Sequence, residues 1–270
     1  RHWWLEFRRV LFRSKILSLK ARSGLHNYKE IASKNILEKV NTPKDSLLYS
    51  KAMESAITLV KNSKEIMPLS KNKKYLHVPF GKNKNSEYFT NKMAMYVDVE
   101  RFNGDDYTLI HKKTDYDAII ITYHGSSTSP YASNIIPDDI VREIDNISKS
   151  NNVILNLFLN PYSLNSFKSI DNFESIIISY QNNMISQEIS ADLMFGVRSF
   201  KGKIPVSNNF FKVNHGLSYD KKEILGFSRP AYEGFDSRKL QYLDSIAITS
   251  IDSMIAPAIQ MLVSKNGKVI

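Results

Sequence analysis

The sequence predicts an α/β fold: a mostly parallel sheet covered by helices, arranged as a three-layer α/β/α sandwich, preceded by helices and followed by a truncated second α/β domain. Three observations carry this expectation. The runs Ala118-Ile-Ile-Ile-Thr-Tyr123 and Val153-Ile-Leu-Asn-Leu-Phe158 are almost continuously apolar, as strands buried on both faces are. From Lys74 onward, short apolar runs alternate with helical patterns, which is how parallel strands are joined. The chain has 270 residues, 42% hydrophobic and 24% charged, values ordinary for a globular protein with one large domain or two smaller ones.

Taken in order, residues 1–14 (RHWWLEFRRVLFRS) hold both tryptophans and four arginines, whereas the rest of the chain prefers lysine. They read as a non-native leader and stand outside the fold argument. Residues 15–40 read as helical, with Ile16, Leu17 and Leu19 before a stop at Gly24, and Ile31, Ile36, Leu37 and Val40 after it. Thr42-Pro43 breaks the pattern. Asp45 or Ser46 then caps a helix over residues 47–61, whose apolar face is Leu48, Met53, Ala56, Ile57 and Val60.

Strands are expected at 75–80, 94–99, 118–123, 153–159 and 175–179, with helices near 86–92, 137–148 and 184–195. Pro137, Asp138 and Asp139 suit a helix start, where a fixed φ and negative charge are both favourable. Ile204-Pro205-Val206 leads into a polar segment over 207–228, and Lys221 to Glu233 reads as a linker. A further helical pattern runs from Asp236 to about Met254, capped by Asp236 or Ser237, with Leu240, Leu243, Ile246 and Ile251 inward. Pro257 ends it, residues 258–263 begin a strand, and Asn266-Gly267 is a hairpin turn. The domain scheme is therefore a leader at 1–14, a helical segment at 15–73, the sandwich at 74–220, a linker at 221–235 and the start of a second domain at 236–270.

The absence of cysteine excludes disulfides and thiolate metal sites. No apolar run approaches the roughly 20 residues that span a bilayer. The net charge of +10 comes with lysines in polar turns such as Lys71-Asn72-Lys73-Lys74 and Lys82-Asn83-Lys84. Without an arginine-rich helix or an aromatic RNA-binding signature, nucleic acid is not an expected partner. The six histidines show no metal-binding spacing, and no glycine-rich phosphate loop occurs, so neither metal nor cofactor is expected.

Asp105-Asp106 and Asp138-Asp139 are tempting acidic pairs, but adjacent residues do not place carboxylates on opposite sides of a sugar bond. Ser-x-x-Lys spacing occurs at Ser70/Lys73 and at Ser218/Lys221, the first in a polar turn and the second in the linker; neither reads as a nucleophile. His124, followed by Gly125-Ser126-Ser127, ends the most apolar strand. Open α/β sheets bind ligands at such strand ends, so His124 is the substrate-facing candidate, against the reading of a loop histidine turned by Gly125.

Several segments resemble, in the right order, parts of glycoside hydrolase family 3 enzymes. KILSLKARSGL from Lys15 looks like the last helix of that family's N-terminal barrel. Ser55-Ala-Ile-Thr-Leu-Val-Lys-Asn62, with Ile66-Met-Pro-Leu69, looks like its interdomain signature. Phe158-Leu-Asn-Pro-Tyr162 resembles a turn of the β-N-acetylhexosaminidase branch, with Leu159 in place of glycine. Tyr180-Gln-Asn182, Phe195-Gly196 and Gly202-Lys-Ile-Pro-Val-Ser207 complete the series. From Leu225 onward the chain resembles the opening of a serine hydrolase of the β-lactamase and penicillin-binding-protein class, with Pro257-Ala258 where Pro-Gly is usual.

The resemblance implies a parent enzyme that is a retaining β-N-acetylhexosaminidase. It would cleave terminal N-acetylglucosaminides of cell-wall glycans in the bacterial periplasm or cell envelope, with a serine hydrolase appended. The nucleophilic Asp and the His-centred acid/base would belong to the barrel. No catalytic residue is therefore assigned in this chain, which is expected to be an inert scaffold whose partners are the glycan, the missing barrel and the missing hydrolase domain. Two other readings stay open. One is a β-glucosidase-type enzyme, whose second domain supplies an acid/base Glu from a loop; Glu143 and Glu188 fit helices instead. The other is a non-catalytic carbohydrate- or partner-binding module.

Overall fold

The computed structural model describes residues 2–30, 33–81, 86–104, 106–112, 115–125 and 135–270. The chain divides into two compact units, Arg1–Thr42 and Pro43–Ile270. The first consists of helix α1 (His2–Arg22), a 3-10 turn at Leu25–Asn27 and the short helix α2 (Ile36–Val40). Helix α1 runs without a break through position 14, so the arginine-rich stretch and Lys15 share one helix. Gly24 stands at φ 72°, a left-handed conformation that ends a helix at little cost only for glycine. Ile31 lies outside the described residues.

The second unit begins with α3 (Pro43–Ala56) and β1 (Thr58–Asn62). It continues through β2 (Tyr75–Gly81), α4 (Glu87–Ala94), β3 (Val99–Arg101), β4 (Ala118–His124), α5 (Asp138–Ser150), β5 (Val153–Phe158), β6 (Phe173–Ile178) and α6 (Met184–Met194). Six strands form one sheet in the order β1-β6-β5-β4-β2-β3. Strands β2 to β6 run parallel, and β1 lies antiparallel on the β6 edge.

The two apolar runs are the paired central strands. Ile119 is opposite Val153, and the register continues to His124 opposite Phe158. Every side chain of both strands is buried. Successive residues point to opposite faces, and the core divides accordingly. Ile119, Ile121, Leu155 and Leu157 pack with Val141, Ile144 and Ile147 of α5. Ile120, Ile154 and Ile177 pack with Met53 of α3, Phe89 and Met93 of α4, and Ile189 and Leu193 of α6. Fully burying one such side chain contributes about 1.5–3 kcal/mol, so each helix is held by its apolar stripe.

Several elements differ from the sequence expectation. The helix expected over 47–61 starts at Pro43 and ends at Ala56. Pro43 serves as the first helical residue, where its missing N–H costs nothing, so Asp45 and Ser46 are not caps. Thr58, Leu59 and Val60 are buried in β1, with Thr58 paired to Ile178, Leu59 to Ile177 and Lys61 to Ile176 across a register shift at Val60, because a sheet edge rewards β-branched residues more than a helix end does. The strand expected at 94–99 is the end of α4 and a turn; Tyr96 and Val97 both donate backbone N–H groups to the Met93 carbonyl, and the strand starts only at Val99.

Lys221–Glu233, expected as a linker, contains strand β7 (Gly226–Phe227) and a 3-10 turn at Pro230–Glu233 in which Tyr232 and Glu233 are buried. Helix α7 (Ser237–Asp252) is capped by Asp236, as expected, but it buries none of its side chains; Ile246 and Ile251 are exposed. Residues 258–263 form no strand. The hairpin strands are β8 (Ser264–Lys265) and β9 (Lys268–Val269), and β9 also pairs with β7. Gly202, in the Gly-Lys-Ile-Pro exit, runs so close to α3 that a Cβ there would lie 2.3 Å from the Ile57 carbonyl oxygen. Only glycine permits that approach.

The double-faced burial of β5 gives a direct test. Ile154→Ala, at a site with no exposed surface, is expected to lower unfolding free energy by about 2–5 kcal/mol, measured by urea denaturation followed by circular dichroism.

Candidate functional site

The C-terminal ends of the parallel strands are the edge where an open α/β sheet presents ligand-binding loops. Gly81, His124 and Phe158 end β2, β4 and β5 at one level, since His124 is paired with both others. Gly81 has φ 89°, and a Cβ there would lie 2.4 Å from the His124 carbonyl oxygen.

A line of polar side chains runs through the core to this edge. Thr90 Oγ1 is 2.6 Å from His77 Nδ1, and His77 Nε2 is 2.8 Å from Thr122 Oγ1. Thr122 Oγ1 is also 2.8 Å from His124 Nε2, and His124 Nδ1 is 2.9 Å from Asn182 Oδ1. Gln187 Nε2 donates to the same Asn182 oxygen at 2.9 Å, while its Oε1 accepts the Phe89 N–H at 3.2 Å.

The protons on this line can be assigned. Asn182 Oδ1 can only accept, so His124 carries its proton on Nδ1. Neutral His124 Nε2 must then accept the Thr122 hydroxyl proton. Thr122 oxygen in turn accepts from His77 Nε2–H, leaving His77 Nδ1 to accept from Thr90. With both histidines neutral, every ring nitrogen on the line is satisfied. Burial is the main reason both prefer that form. It drives the His77 ring well below the usual histidine range, helped by His124 and Arg101. It lowers His124 to about 4, against the hydrogen bond to Asn182, which favours charge, and with Arg101 also disfavouring it.

His124 is therefore placed where the sequence puts it, at the end of β4, but its ring is 1% exposed and stacked on Phe158 at 4.8 Å. It does not face solvent; it holds Asn182. The loop it holds, Tyr180–Asn183, is a polar, hydrogen-bonded feature of this edge. Tyr180 has φ 59°, a strained conformation for an aromatic residue that costs on the order of 1–3 kcal/mol. Its Oη is 3.0 Å from Thr58 Oγ1. Tyr49 Oη donates to Gln181 Oε1 and accepts from Asn183 Nδ2 at 2.7 Å. Asn183 Oδ1 caps α6 by accepting the Ser186 N–H at 2.9 Å. Sequence reading noted Tyr180-Gln-Asn182 only as a resemblance. The asparagine cap at Asn183 was the local signal that a built turn begins here.

The other sequence-selected residues are scattered. Ser126, Ser127 and Asp105 lie outside the described residues. Asp106 closes a turn on Thr108, and Asp138 and Asp139 occupy the first turn of α5. Leu159 is buried against Gly125, where a Cβ would lie 2.1 Å from its side chain. Ser70 and Lys73 line a groove of about 350 Å³ with Tyr75, Asp117, Asn152 and Glu174, at the opposite, N-terminal end of the strands. Glu143 lies in α5; Glu188 lies in α6, with both carboxylate oxygens on Arg229 at 2.7–3.0 Å. Among the described residues, no group of three His, Asp or Glu side chains converges as a metal site would need. No described helix is long and apolar enough to cross a membrane.

No protein-family model matches the chain, and no curated protein sequence does either. Solved structures share its fold. A glycoside hydrolase family 3 β-N-acetylglucosaminidase from a Paenibacillus species is 16% identical with a TM-score of 0.51, over 71% of this chain and 38% of that one. A β-glucoside phosphorylase is 22% identical with a TM-score of 0.51, over 71% and 37%. A β-glucosidase from Listeria innocua bound to isofagomine is 14% identical with a TM-score of 0.51, over 70% and 31%. The match thus spans between about a third and two fifths of each of these proteins, and at such identities the likeness is one of fold.

The neutral histidine line makes stability pH-dependent. Unfolding releases His124 to an ordinary value near 6.5, so the unfolded chain binds the extra proton between pH 6.5 and about 4. The stabilisation is complete above that window and is lost as pH falls through it, by roughly 3 kcal/mol for this one ring. Urea midpoints measured from pH 7 to pH 4 are expected to fall, and His124→Gln is expected to flatten the slope by about one proton. An unchanged slope would show that His124 is not held neutral.

Proposed function

We propose that this chain is the α/β part of a family 3 glycoside hydrolase, a scaffold that stands beside a catalytic barrel, with its helices forming a three-layer sandwich around the sheet. The observation that carries this reading is the shared fold: the six-stranded mixed sheet aligns with part of a family 3 β-N-acetylglucosaminidase. The disposition of the carboxylates supports the scaffold role. Retaining glycoside hydrolysis uses two carboxyl groups about 5–5.5 Å apart across the scissile bond, or an equivalent acid. Here Glu188 is occupied by Arg229 and Asp192 by Arg198. The nucleophile and the acid would come from the barrel.

The finer reading is a β-N-acetylhexosaminidase acting on terminal N-acetylglucosaminides of cell-wall glycans, in the periplasm or cell envelope of a bacterium. Support comes from the Phe158-Leu-Asn-Pro-Tyr162 turn and from the serine-hydrolase-like residues after Leu225, which would begin the appended domain. The β-glucosidase alternative needs an acid/base Glu from a loop of this domain. It is the weaker reading, because Glu143 and Glu188 sit within helices.

The purified chain is expected to release no p-nitrophenol from p-nitrophenyl N-acetyl-β-glucosaminide or p-nitrophenyl β-glucoside above the buffer rate. Robust turnover of either, abolished by Glu188→Gln, would replace this reading with one in which the domain itself carries the acid.

A further inference from the structure

We propose that residues 222–234, together with the β8–β9 hairpin, form a separable strap on the helical face of the sheet, and that one buried charge cluster is its latch: opening the cluster frees the C-terminal segment while the sheet stays folded.

The strap has a defined path. Lys222 N–H donates to the Gly196 carbonyl at 2.7 Å. The Phe227 N–H donates to Tyr96 Oη at 3.1 Å, and Lys92 Nζ donates to the Phe227 carbonyl. Arg229 reaches Glu188, and the turn at Pro230–Glu233 then carries Glu233 inward, to 2% exposure. Gly234, at φ 81°, turns the chain out again toward α7, which buries no residue of its own. The strap's apolar contacts are few: Tyr232 is buried and Ile224 packs partly buried against the core under α3, α4 and α6, while Phe227 is 38% exposed and Leu225 51%. Polar contacts supply the rest of the hold.

The cluster consists of two halves. On the body, Arg198 Nε meets Asp192 Oδ2 at 3.0 Å, and Arg198 Nη1 meets Glu54 at 2.5 Å. Lys92 Nζ lies 3.2 Å from Asp192, and Tyr96 Oη donates to the same carboxylate at 2.7 Å. On the strap, Glu233 takes Lys268 Nζ at 3.0 Å, Asn266 Nδ2 at 3.0 Å and Ser228 Oγ at 3.1 Å. The body half holds two cations and two anions, and the strap half holds one of each. Among the described residues, the halves meet through a single charge pair, Arg198 Nη2 and Glu233 Oε1, 3.6 Å apart. That is too long for a hydrogen bond, and Arg198 Nη2 makes no other.

This division is what makes the strap separable. Burying or stranding an unpaired charge is expensive, whereas paired charges are tolerated. When the two halves part, each keeps its own partners and neither is left with net charge. What is lost is the long Arg198–Glu233 attraction, the Lys222–Gly196 backbone bond, the two backbone bonds of Phe227, the Arg229–Glu188 pair and the burial of Tyr232. By contrast, the sheet cannot open without exposing β4 and β5, whose side chains are buried throughout. Local opening free energies vary within a protein in this way, from near zero up to the global value.

Native-state hydrogen exchange on the full chain, read by mass spectrometry in a series of sub-denaturing urea concentrations, tests this. Amides of 222–234 and 264–269 are expected to exchange at least about tenfold faster than those of β4 and β5, through an opening that β4 and β5 do not share. Glu233→Gln, which strands Lys268 beside Arg198, is expected to speed strap exchange by a further tenfold or more and leave β4 and β5 unchanged. Removing the partner as well, in Glu233→Gln with Lys268→Met, is expected to return part of the protection. A single opening event common to strap and sheet would overturn the proposal. So would a Glu233→Gln chain whose sheet amides speed up together with the strap, or one whose strap is unaffected.

Discussion

The structure depends on one constraint: β4 and β5 have no polar face. Every side chain of both strands is buried, so apolar helices must cover both sides of the sheet, and the backbone must be satisfied entirely by neighbouring strands. Helix α5 covers one side; α3, α4 and α6 cover the other. The antiparallel β1 closes the β6 edge, which would otherwise present a row of unpaired groups.

The same constraint sets the terms for every polar group inside. Thr122 and His124 belong to β4, and Asn156 belongs to β5, so each must find partners across the core. Asn156 donates to Ser190 at 2.8 Å and accepts from Ser179 at 2.7 Å. His77, Thr122 and His124 satisfy one another and end on Asn182. The ionic cluster at Arg198 is a third solution, with charges paired to neutrality. All three arrangements join helices α4 and α6 or the loop before α6 to their neighbours. The polar interior therefore sets the position of the Tyr180–Asn183 loop and of the strap, while the apolar interior sets the stack of helices on sheet.

Legibility followed the range of the interactions. The central strands, α5 with its Pro-Asp-Asp start, α6 and the Asp236 cap were readable because each is written in a few adjacent residues. Strand β1 was misread as helix because Thr58-Leu-Val60 fits either period over so short a run, and only the pairing with Ile176–Ile178 decides it. His124 was located correctly at the end of its strand, but nothing local reveals that Asn182, 58 residues later, accepts its hydrogen bond. The segment around Tyr232 and Glu233 read as a linker because its composition is polar. Its polar groups turn inward to Lys92 of α4, Glu188 of α6 and Arg198 beyond α6, and composition cannot distinguish a solvated charge from a paired one.

The amino-acid pattern by itself determined that a parallel α/β sheet would form and which strands would lie at its centre, because apolar periodicity acts through the nearest residues. Only the tertiary structure decided where the buried protons sit and how Glu233 meets Arg198. Those outcomes depend on groups far apart in the chain, whose ionisation and hydrogen bonding take their sense from the low-dielectric interior that folding creates.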